Sequence, residues 1–229
     1  MGVLWRRYYP TESPLRFLKE LRALLRPEHA VLEVGAGAGA LFPHGIRGTV
    51  RRVVGVDPDP RVLENKQLDE GFVGYGDRLP FSDETFDVAF HRMLAEHLED
   101  PEATAAEIAR VLRSGGKLVM HAPNRSHYTM IASRMTPMWF HRLYMRFLGT
   151  RRNAGDVHVA YYRFSCRRDV ERICAKAGLT VERLEFWSAP PGYLRFGRLA
   201  FLLGVLYERL VERRFERARS TMFLVASKP

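Results

Sequence analysis

A glycine-rich turn and an acid that follows it are the residues best suited to chemistry. Gly35, Gly37 and Gly39 follow the apolar segment 31–34, and glycines let the backbone approach a ligand while the N–H groups of a following helix face it. Asp57 lies 18 residues after Gly39, where an acid can accept two hydrogen bonds from a ribose diol. This spacing predicts a site for a nucleotide-bearing cofactor. The same glycines fit the dinucleotide pattern G-x-G-x-x-G/A, so an NAD(P)-dependent oxidoreductase is one alternative.

Short apolar strands alternating with helices must position these residues. Hydrophobic periodicity predicts a helix over 102–112 and strands at 31–34, 52–56, 72–73, 86–90 and 117–120. This alternation is typical of an α/β fold in which a parallel sheet is covered by helices on both faces. Further elements are predicted as a helix from Ser13, a helix over 165–178 capped by Ser165, and strands over 179–188 and 221–226.

Five motifs in order along the first half resemble one protein family. They read V-L-E-V-G-A-G-A-G, V-G-V-D-P-D-P, L-P-F-S-D-E-T-F-D-V-A-F, E-H-L-E-D-P and E-I-A-R-V-L-R-S-G-G-K-L. Residues 28–123 are similar to class I S-adenosylmethionine-dependent methyltransferases, in particular to the small-molecule "methyltransferase domain" group. The resemblance implies a Rossmann-like, mostly parallel sheet of seven strands with an antiparallel last strand. It also implies S-adenosyl-L-methionine as cofactor and S-adenosyl-L-homocysteine as product.

The resemblance further implies which residues bind the cofactor. Glu33 would lie under its methionine end, the glycine turn would pass its backbone and Asp57 would hold its ribose. The full set is Glu33, Gly35, Ala36, Gly37, Gly39, Asp57, Pro58, Tyr75, Gly76, Asp77 and His91. A structural ion pair is the alternative for Glu33, since a carboxylate inside an apolar strand is costly to bury unpaired.

The adenine contact departs from the family pattern. In the family an acid commonly lies four residues before the Leu of L-P-F and binds the adenine amine, whereas Tyr75 occupies that position in this sequence. Stacking of Tyr75 on the adenine and a hydrogen bond from the amine to Asp77 are the two alternatives.

The reaction itself requires little of the protein. Methyl transfer from a sulfonium is an in-line displacement in which the cofactor carries the activation and the protein aligns the reactants. A general base is required only when the nucleophile must lose a proton. The candidates for that role are His91, which ends the fourth strand at the edge where ligands bind in such sheets, His158 and Tyr161. The histidines are too scattered to predict a metal site.

Two insertions set the second half apart. We expect one domain over residues 1–229, with an N-terminal helical segment at 1–27, a cofactor-binding core at 28–123, a lid insertion at 124–164 and a C-terminal sheet half at 165–229 that contains a second insertion at 189–220. Both insertions should leave from the ligand-binding edge of the sheet and meet over the cofactor. The first is rich in Met and aromatic residues, which favours a small, apolar or lipid- or glycan-linked acceptor. A satellite core under a long loop is the alternative.

The segment 194–219 combines an apolar run with arginines. Its unbroken apolar stretch, 199–207, is far shorter than the ~20 residues of a membrane span. A lid or core helix and a peripheral contact with an anionic membrane are therefore the two hypotheses for this segment. The i+4 spacing of Glu208, Glu212 and Glu216 predicts a solvated face at its far end.

The charge of the chain is unevenly distributed. The net charge of +10 divides into −2 over residues 1–119 and +12 over residues 120–229, which indicates an acidic partner for the second half. A nucleic-acid methyltransferase is therefore a second hypothesis. Against it, His91-Arg92-Met93-Leu94 stands where amino-directed nucleic-acid enzymes resemble N/D-P-P-Y/F, and the sequence contains no Pro-Cys motif. A nucleic-acid partner is disfavoured for that reason, and a non-catalytic binding module is a further alternative.

The cellular setting is predicted from the first residues and the cysteines. Residues 1–7 carry no apolar run of signal-peptide length. Cys166 and Cys174 are the two cysteines, and two thiols eight residues apart on one predicted helix cannot form a disulfide framework. We expect a cytoplasmic protein with inert thiols, a membrane association being the second hypothesis, and the sequence does not indicate the oligomeric state.

Overall fold

The computed structural model describes residues 13–40, 42–136, 160–189, 191, 194 and 197–229. Seven strands run through these residues: β1 (Ala30–Val34), β2 (Arg52–Asp57), β3 (Glu70–Val73), β4 (Phe86–Arg92), β5 (Leu112–Pro123), β6 (Thr180–Trp187) and β7 (Thr221–Ser227). The α-helices among them are α1 (Ser13–Leu24), α2 (Pro101–Val111), α3 (Tyr128–Met135), α4 (Arg167–Lys176) and α5 (Arg198–Arg214). Short 3₁₀ helices occupy Pro60–Glu64, Ala95–His97 and Glu216–Ala218.

The strands form one sheet with the order β3-β2-β1-β4-β5-β7-β6. β1 to β5 pair in parallel, whereas β7 pairs antiparallel with both β5 and β6. β6 therefore runs in the same direction as the first five strands, and the predicted antiparallel last strand is confirmed. The chain order reverses between β1 and β4, and ligands of open α/β sheets bind in the crevice at such a switch point.

Helices cover both faces of the sheet, as the alternation of elements predicts. On one face Ile108 of α2 and Ile173 of α4 pack in a core with alternate residues of the central strands. On the other face Phe17 and Leu21 of α1 pack against the intervening strand residues, which include Phe90. Because the strands are buried on both faces, they read as continuous apolar runs in the sequence.

Two of the family motifs stabilise each other within this fold. Glu107 of α2 accepts a hydrogen bond from the Leu79 backbone N–H at 2.8 Å. Arg110 donates to the carbonyl oxygens of Leu79 and Phe81 and forms an ion pair with Asp83 at 2.7 Å. The hydrogen bond from Arg110 lowers the pKa of the Glu107 carboxyl. The E-I-A-R segment therefore fixes the L-P-F-S-D turn, which is a structural role.

The start of α4 differs from the prediction by one residue. Cys166, and not Ser165, occupies the cap position, and the helix ends at Lys176. No side chain at the cap position bonds to the helix start. Instead, Asp169 Oδ2 accepts hydrogen bonds from the Ser165 N–H at 3.5 Å and from the Cys166 thiol at 3.1 Å. Burial raises the pKa of the Cys174 thiol to about 11, so that thiol stays protonated and unreactive near neutral pH.

Candidate active site

The turn after β1 is built on glycines with left-handed backbone angles. Gly35, Gly37 and Gly39 have φ values of +78°, +49° and +72°, which residues with a Cβ rarely adopt. The N–H groups of Gly35 and Ala36 donate to the Val56 carbonyl oxygen at 2.8 and 3.2 Å. The turn is therefore fixed against the end of β2, at the switch point of the sheet.

Asn65 hydrogen-bonds to this turn, and the sequence gives no sign of this role. Its buried side chain donates to the carbonyl oxygens of Ala36 at 3.1 Å and Gly37 at 3.2 Å and accepts from the Gln67 N–H at 2.9 Å. A Cβ added at Gly39 would lie 2.0 Å from Asn65 Oδ1. An asparagine between β2 and β3 carries no motif signal, because its role depends on a contact across 26 or more residues of chain.

Asp57, the last residue of β2, faces the glycine turn. Its Oδ2 accepts from the Gly37 N–H and its Oδ1 accepts from the Asp59 N–H, both at 2.8 Å. Each carboxylate oxygen has a second lone pair, so Asp57 retains the capacity to accept two hydrogen bonds from a diol. Pro58 follows at the surface.

The loop after β3 lies beside Asp57. The Gly74 N–H donates to the Asp57 carbonyl oxygen at 3.1 Å. A Cβ on Gly76 would approach Val34 Cγ1 to 3.0 Å, so Gly76 permits the loop to cross the end of β1. The side chain of Tyr75 is 68% exposed, and Asp77 is exposed too. Tyr75 and Asp77, the two candidates for the adenine contact, therefore both lie on the exposed loop beside Asp57.

Glu33 is buried in β1 and has a partner that sequence reasoning missed. Its Oε2 lies 3.2 Å from Nε2 of His44, whose own side chain is fully buried. His44 Nδ1 accepts from the Ile46 N–H at 3.1 Å, which assigns the proton to the Nε2 that faces Glu33. Burial raises the pKa of the Glu33 carboxyl, and the His44 contact opposes part of that rise. Glu33 therefore lies beside a neutral imidazole at the edge where the cofactor residues converge.

His91 lies inside the core near the end of β4. It is fully buried, and neither ring nitrogen has a hydrogen-bond partner in the described part of the chain. Burial lowers its pKa to about 4, so the imidazole is neutral at physiological pH. Side chains alternate along a strand, and His91 therefore points to the α2 and α4 face. This burial weighs against a general-base role for His91.

A second group of side chains, the aromatic cluster, lies on the α1 face of the same edge. It comprises Phe17, Phe42, Arg92, His121 and Trp187. His121 is fully buried, with its ring 5.5 Å from that of Phe17 and 5.4 Å from that of Trp187. The Arg92 guanidinium lies 4.6 Å from the Phe42 ring. Burial, together with the charges of Arg92 and Arg16, lowers the pKa of His121 to about 3. The Arg16 guanidinium lies 4.1 Å from the Trp187 ring, so the cluster is largely apolar and is bordered by two cations.

The two insertions meet, as expected from their departure at the same sheet edge. Asn124, directly after β5, donates its side-chain N–H groups to the carbonyl oxygens of Arg217 at 2.8 Å and Arg219 at 2.7 Å. The rings of Tyr128 in α3 and Tyr207 in α5 are 4.9 Å apart. The described parts of the segments after β5 and β6 therefore pack against each other, whereas residues 137–159 of the first insertion lie outside the described residues.

A buried polar pair joins the same two helices and corrects a prediction. His127 Nε2 lies 2.9 Å from Glu208 Oε1, and both side chains are almost completely buried. The sequence predicts that Glu208 shares a solvated face with Glu212 and Glu216, and that prediction is wrong for Glu208. Glu212 and Glu216 are exposed as expected. The i+4 spacing assumes one continuous helix, but α5 ends at Arg214 and Glu216 lies beyond it. The side of α5 that carries Glu208 faces the start of α3.

Tyr161 lies where the first insertion rejoins the fold. The Tyr161 and Tyr162 N–H groups donate to the Glu96 carbonyl oxygen at 2.7 and 3.1 Å, which fixes this segment to the turn after β4. The Arg163 guanidinium stacks on the Tyr161 ring at 5.2 Å. His158 lies outside the described residues.

A charged surface cleft lies away from these residues. A surface cleft of about 570 Å³ is lined by charged side chains such as Arg125, Asp169 and Arg172, and none of the predicted site residues lines it. Across the described ranges, no three His, Cys, Asp or Glu side chains are grouped as they would be to hold a metal ion. None of the helices in those ranges has the length and hydropathy of a membrane span.

Comparison with known proteins shows which proteins the chain resembles. Residues 32–120 match the family model described as "Methyltransferase domain". The chain is 32% identical over 111 residues to the uncharacterized methyltransferase YcgJ of Bacillus subtilis, over 42% of this chain and 41% of that protein. The solved cyclase SpnF aligns with a TM-score of 0.61 and 16% identity, covering 93% of this chain and 81% of that one. A methyltransferase from Thermotoga maritima, described as a possible histamine N-methyltransferase, aligns with a TM-score of 0.59 and 19% identity, covering 100% and 94%.

Residues 32–120 therefore resemble a methyltransferase domain, and the sheet order agrees with the Rossmann-like fold of class I S-adenosylmethionine-dependent methyltransferases. The chain spans about two fifths of the length of the curated relatives it matches. At 16–19% identity, the solved structures bear on the fold alone.

Proposed function

We propose that the protein transfers a methyl group from S-adenosylmethionine to a small acceptor that is apolar or linked to a lipid or glycan. The observation that carries the proposal is the glycine turn fixed to β2, with Asp57 beside it at the switch point of the sheet. The antiparallel β7 between β5 and β6 favours this function over the NAD(P)-dependent alternative, because it matches the family pattern that the motifs imply.

The residues at the edge fit the cofactor group by group. Asp57 would hold the ribose diol with its remaining lone pairs, and the backbone of Gly35 to Gly39 would pass the amino-acid portion. Glu33, held by His44, would face the methionine ammonium, and Tyr75 or Asp77 would contact the adenine. When bound, the cofactor supplies a methyl group activated by its sulfonium. The chain's own task is then alignment of the acceptor and exclusion of water.

The aromatic cluster supports an apolar acceptor. Phe17, Phe42 and Trp187 lie on the α1 face beside the carboxyl ends of β4 and β5. Ligand sites are mostly apolar, with a few polar groups that fix orientation, and Arg92 would supply such a group for an anionic or polar end. His158 and Tyr161 stay candidates for holding a proton, should the nucleophile carry one. Burial of His91 makes it the weakest of the three candidates.

A methyl-transfer assay tests this proposal. The protein is incubated with radiolabelled S-adenosylmethionine and lipid, glycolipid or quinone extracts, and labelled products are identified by mass spectrometry. We expect label in an apolar product, and its loss in Asp57→Ala, which removes both the diol acceptor and the hydrogen bond to Gly37. Glu70→Gln changes an exposed acid at the amino end of β3 and should keep full activity. Label no higher than in Asp57→Ala with every extract contradicts the proposal.

A further inference from the structure

One face of α5 is apolar and exposed. Five leucines of this helix are between 41% and 73% exposed: Leu199, Leu202, Leu203, Leu206 and Leu210. At 3.6 residues per turn they form a continuous stripe over about 100° of the helix circumference. Single exposed leucines are ordinary, but a contiguous stripe on a helix marks a contact surface. We call these five residues the leucine stripe.

The opposite face of α5 already makes the contacts with the fold. Phe201, Gly204, Val205, Glu208 and Val211 are buried, and a Cβ on Gly204 would lie 2.6 Å from Pro191. The helix is therefore seated on its protein neighbours by this face. The leucine stripe is a second apolar surface of the helix, separate from the face that packs against the fold.

Arginines flank the leucine stripe. The exposed polar residues of α5 are Arg198, Arg209, Glu212, Arg213 and Arg214. At about 100° per residue, Arg209 and Arg213 lie on one border of the stripe and Arg214 on the other, whereas Glu212 lies well away from it. An apolar stripe bordered by cations is the composition of a helix that lies in a membrane interface, with its leucines among acyl chains and its arginines at anionic headgroups.

The position of α5 links this surface to the proposed reaction. Along the chain the helix follows β6 and precedes β7. Its Glu208 contacts His127, which directly precedes α3. Both helices belong to the insertions at the carboxyl edge of the sheet, where the Asp57 site lies. The neighbouring α3 also exposes Ile131 and Met135. A surface in contact with the leucine stripe would therefore adjoin the side of the molecule that carries the cofactor site.

We propose that α5 is an interfacial helix that docks this edge of the protein on an anionic lipid bilayer. The docking itself does not depend on the proposed function. Its consequence, that the acceptor is taken up from the membrane, rests on that function. A second copy of the chain fits the same face less well, because a symmetric contact would bring arginine borders of the two copies together. A bilayer carries the complementary charge and can accept the whole stripe.

Vesicle cosedimentation of the full chain tests the docking. The probes are vesicles of equal parts phosphatidylglycerol and phosphatidylcholine, and vesicles of phosphatidylcholine alone. We expect binding to the anionic vesicles that weakens with added salt. The double variant Leu203→Gln and Leu206→Gln should bind at least about tenfold more weakly. The double variant Arg213→Gln and Arg214→Gln should lose about fivefold per arginine on anionic vesicles and little on neutral ones.

Matched controls and a separate readout keep the outcomes distinct. Leu63→Gln and Arg26→Gln change an exposed leucine and an exposed arginine elsewhere on the surface and should leave vesicle binding unchanged. Circular dichroism checks the fold of each variant, and calorimetry with S-adenosylhomocysteine checks the cofactor site. Vesicle binding without S-adenosylhomocysteine binding would overturn the proposed function and not the docking. Absence of vesicle binding, equal binding by the stripe variant, or a dimer that the stripe variant dissociates would overturn the docking.

Discussion

The buried pair between the two insertions gives the sharpest test of the packing. Replacing Glu208 with Ala removes the carboxylate oxygen that lies 2.9 Å from His127 Nε2 and leaves that nitrogen in an almost completely buried position. An unsatisfied buried polar group costs about 1–3 kcal/mol. Part of this cost is offset, because Glu208 itself buries a second oxygen, Oε2, which has no hydrogen-bond partner among the described residues. We therefore expect a loss of about 2 kcal/mol.

The isosteric variant Glu208→Gln separates the hydrogen bond from the charge. His127 Nδ1 accepts from the Thr129 N–H at 3.4 Å, an assignment that places the imidazole proton on Nε2 as a donor to residue 208. The Gln carbonyl oxygen can accept that proton, and its amide group replaces the partnerless oxygen. Glu208→Gln should thus stay within about 0.5 kcal/mol of the original chain, because a buried charge is removed while the hydrogen bond is kept.

Thermal and urea denaturation measure both effects. A loss of about 2 kcal/mol lowers the melting temperature by about 4–8 °C in a domain of this size. Glu212→Ala, which removes an exposed acid one turn further along α5, is the matched control and should shift stability by less than about 0.5 kcal/mol. The reasoning is refuted if Glu208→Gln destabilises as much as Glu208→Ala, or if Glu208→Ala is no worse than Glu212→Ala.

Two further predictions concern the cofactor turn and the buried histidines. Gly39→Ala should cost about 1–2 kcal/mol for its φ of +72°, and by displacing Asn65 it should weaken S-adenosylhomocysteine binding about tenfold or more in calorimetry; unchanged affinity would show that the turn does not hold the cofactor. His91 and His121 have folded pKa values of about 4 and about 3, whereas the unfolded chain binds these protons near pH 6.5. Stability should therefore fall as the pH drops from 6.5 towards 4, by about 1.4 kcal/mol per pH unit for each histidine. Urea denaturation of His91→Leu across this range should give a shallower slope than the original chain, and an equal slope would contradict the burial argument.

The sequence predicts best what is local or periodic. The glycine turn, Asp57 and the strands follow from short apolar runs and from residues whose backbone preferences are strong, and the structure places them together. Asn65 and His44 could not be predicted, because each acquires its role from a partner far along the chain. Nothing in the residues themselves separates them from other surface-type polar side chains.

The faces of α5 were only partly predictable. Periodicity showed that apolar and charged residues alternate along the helix, but it does not say which stripe meets the protein. The fold buries Glu208 with Phe201 and Val205 and leaves the leucines outside, so the helix has apolar residues on both its buried and its exposed face. Which face of α5 is buried depends on its contacts with α3 and on Pro191, which lies next to Gly204. These contacts form only when the insertions meet.

Calorimetric titration with S-adenosylhomocysteine tests the central claim most directly. The account predicts one binding site per chain, affinity about a hundredfold weaker in Asp57→Ala because hydrogen bonds to a charged acceptor are lost, and unchanged affinity in Glu70→Gln. No measurable binding of S-adenosylhomocysteine by the intact chain, or binding of NAD(H) in its place, would contradict it.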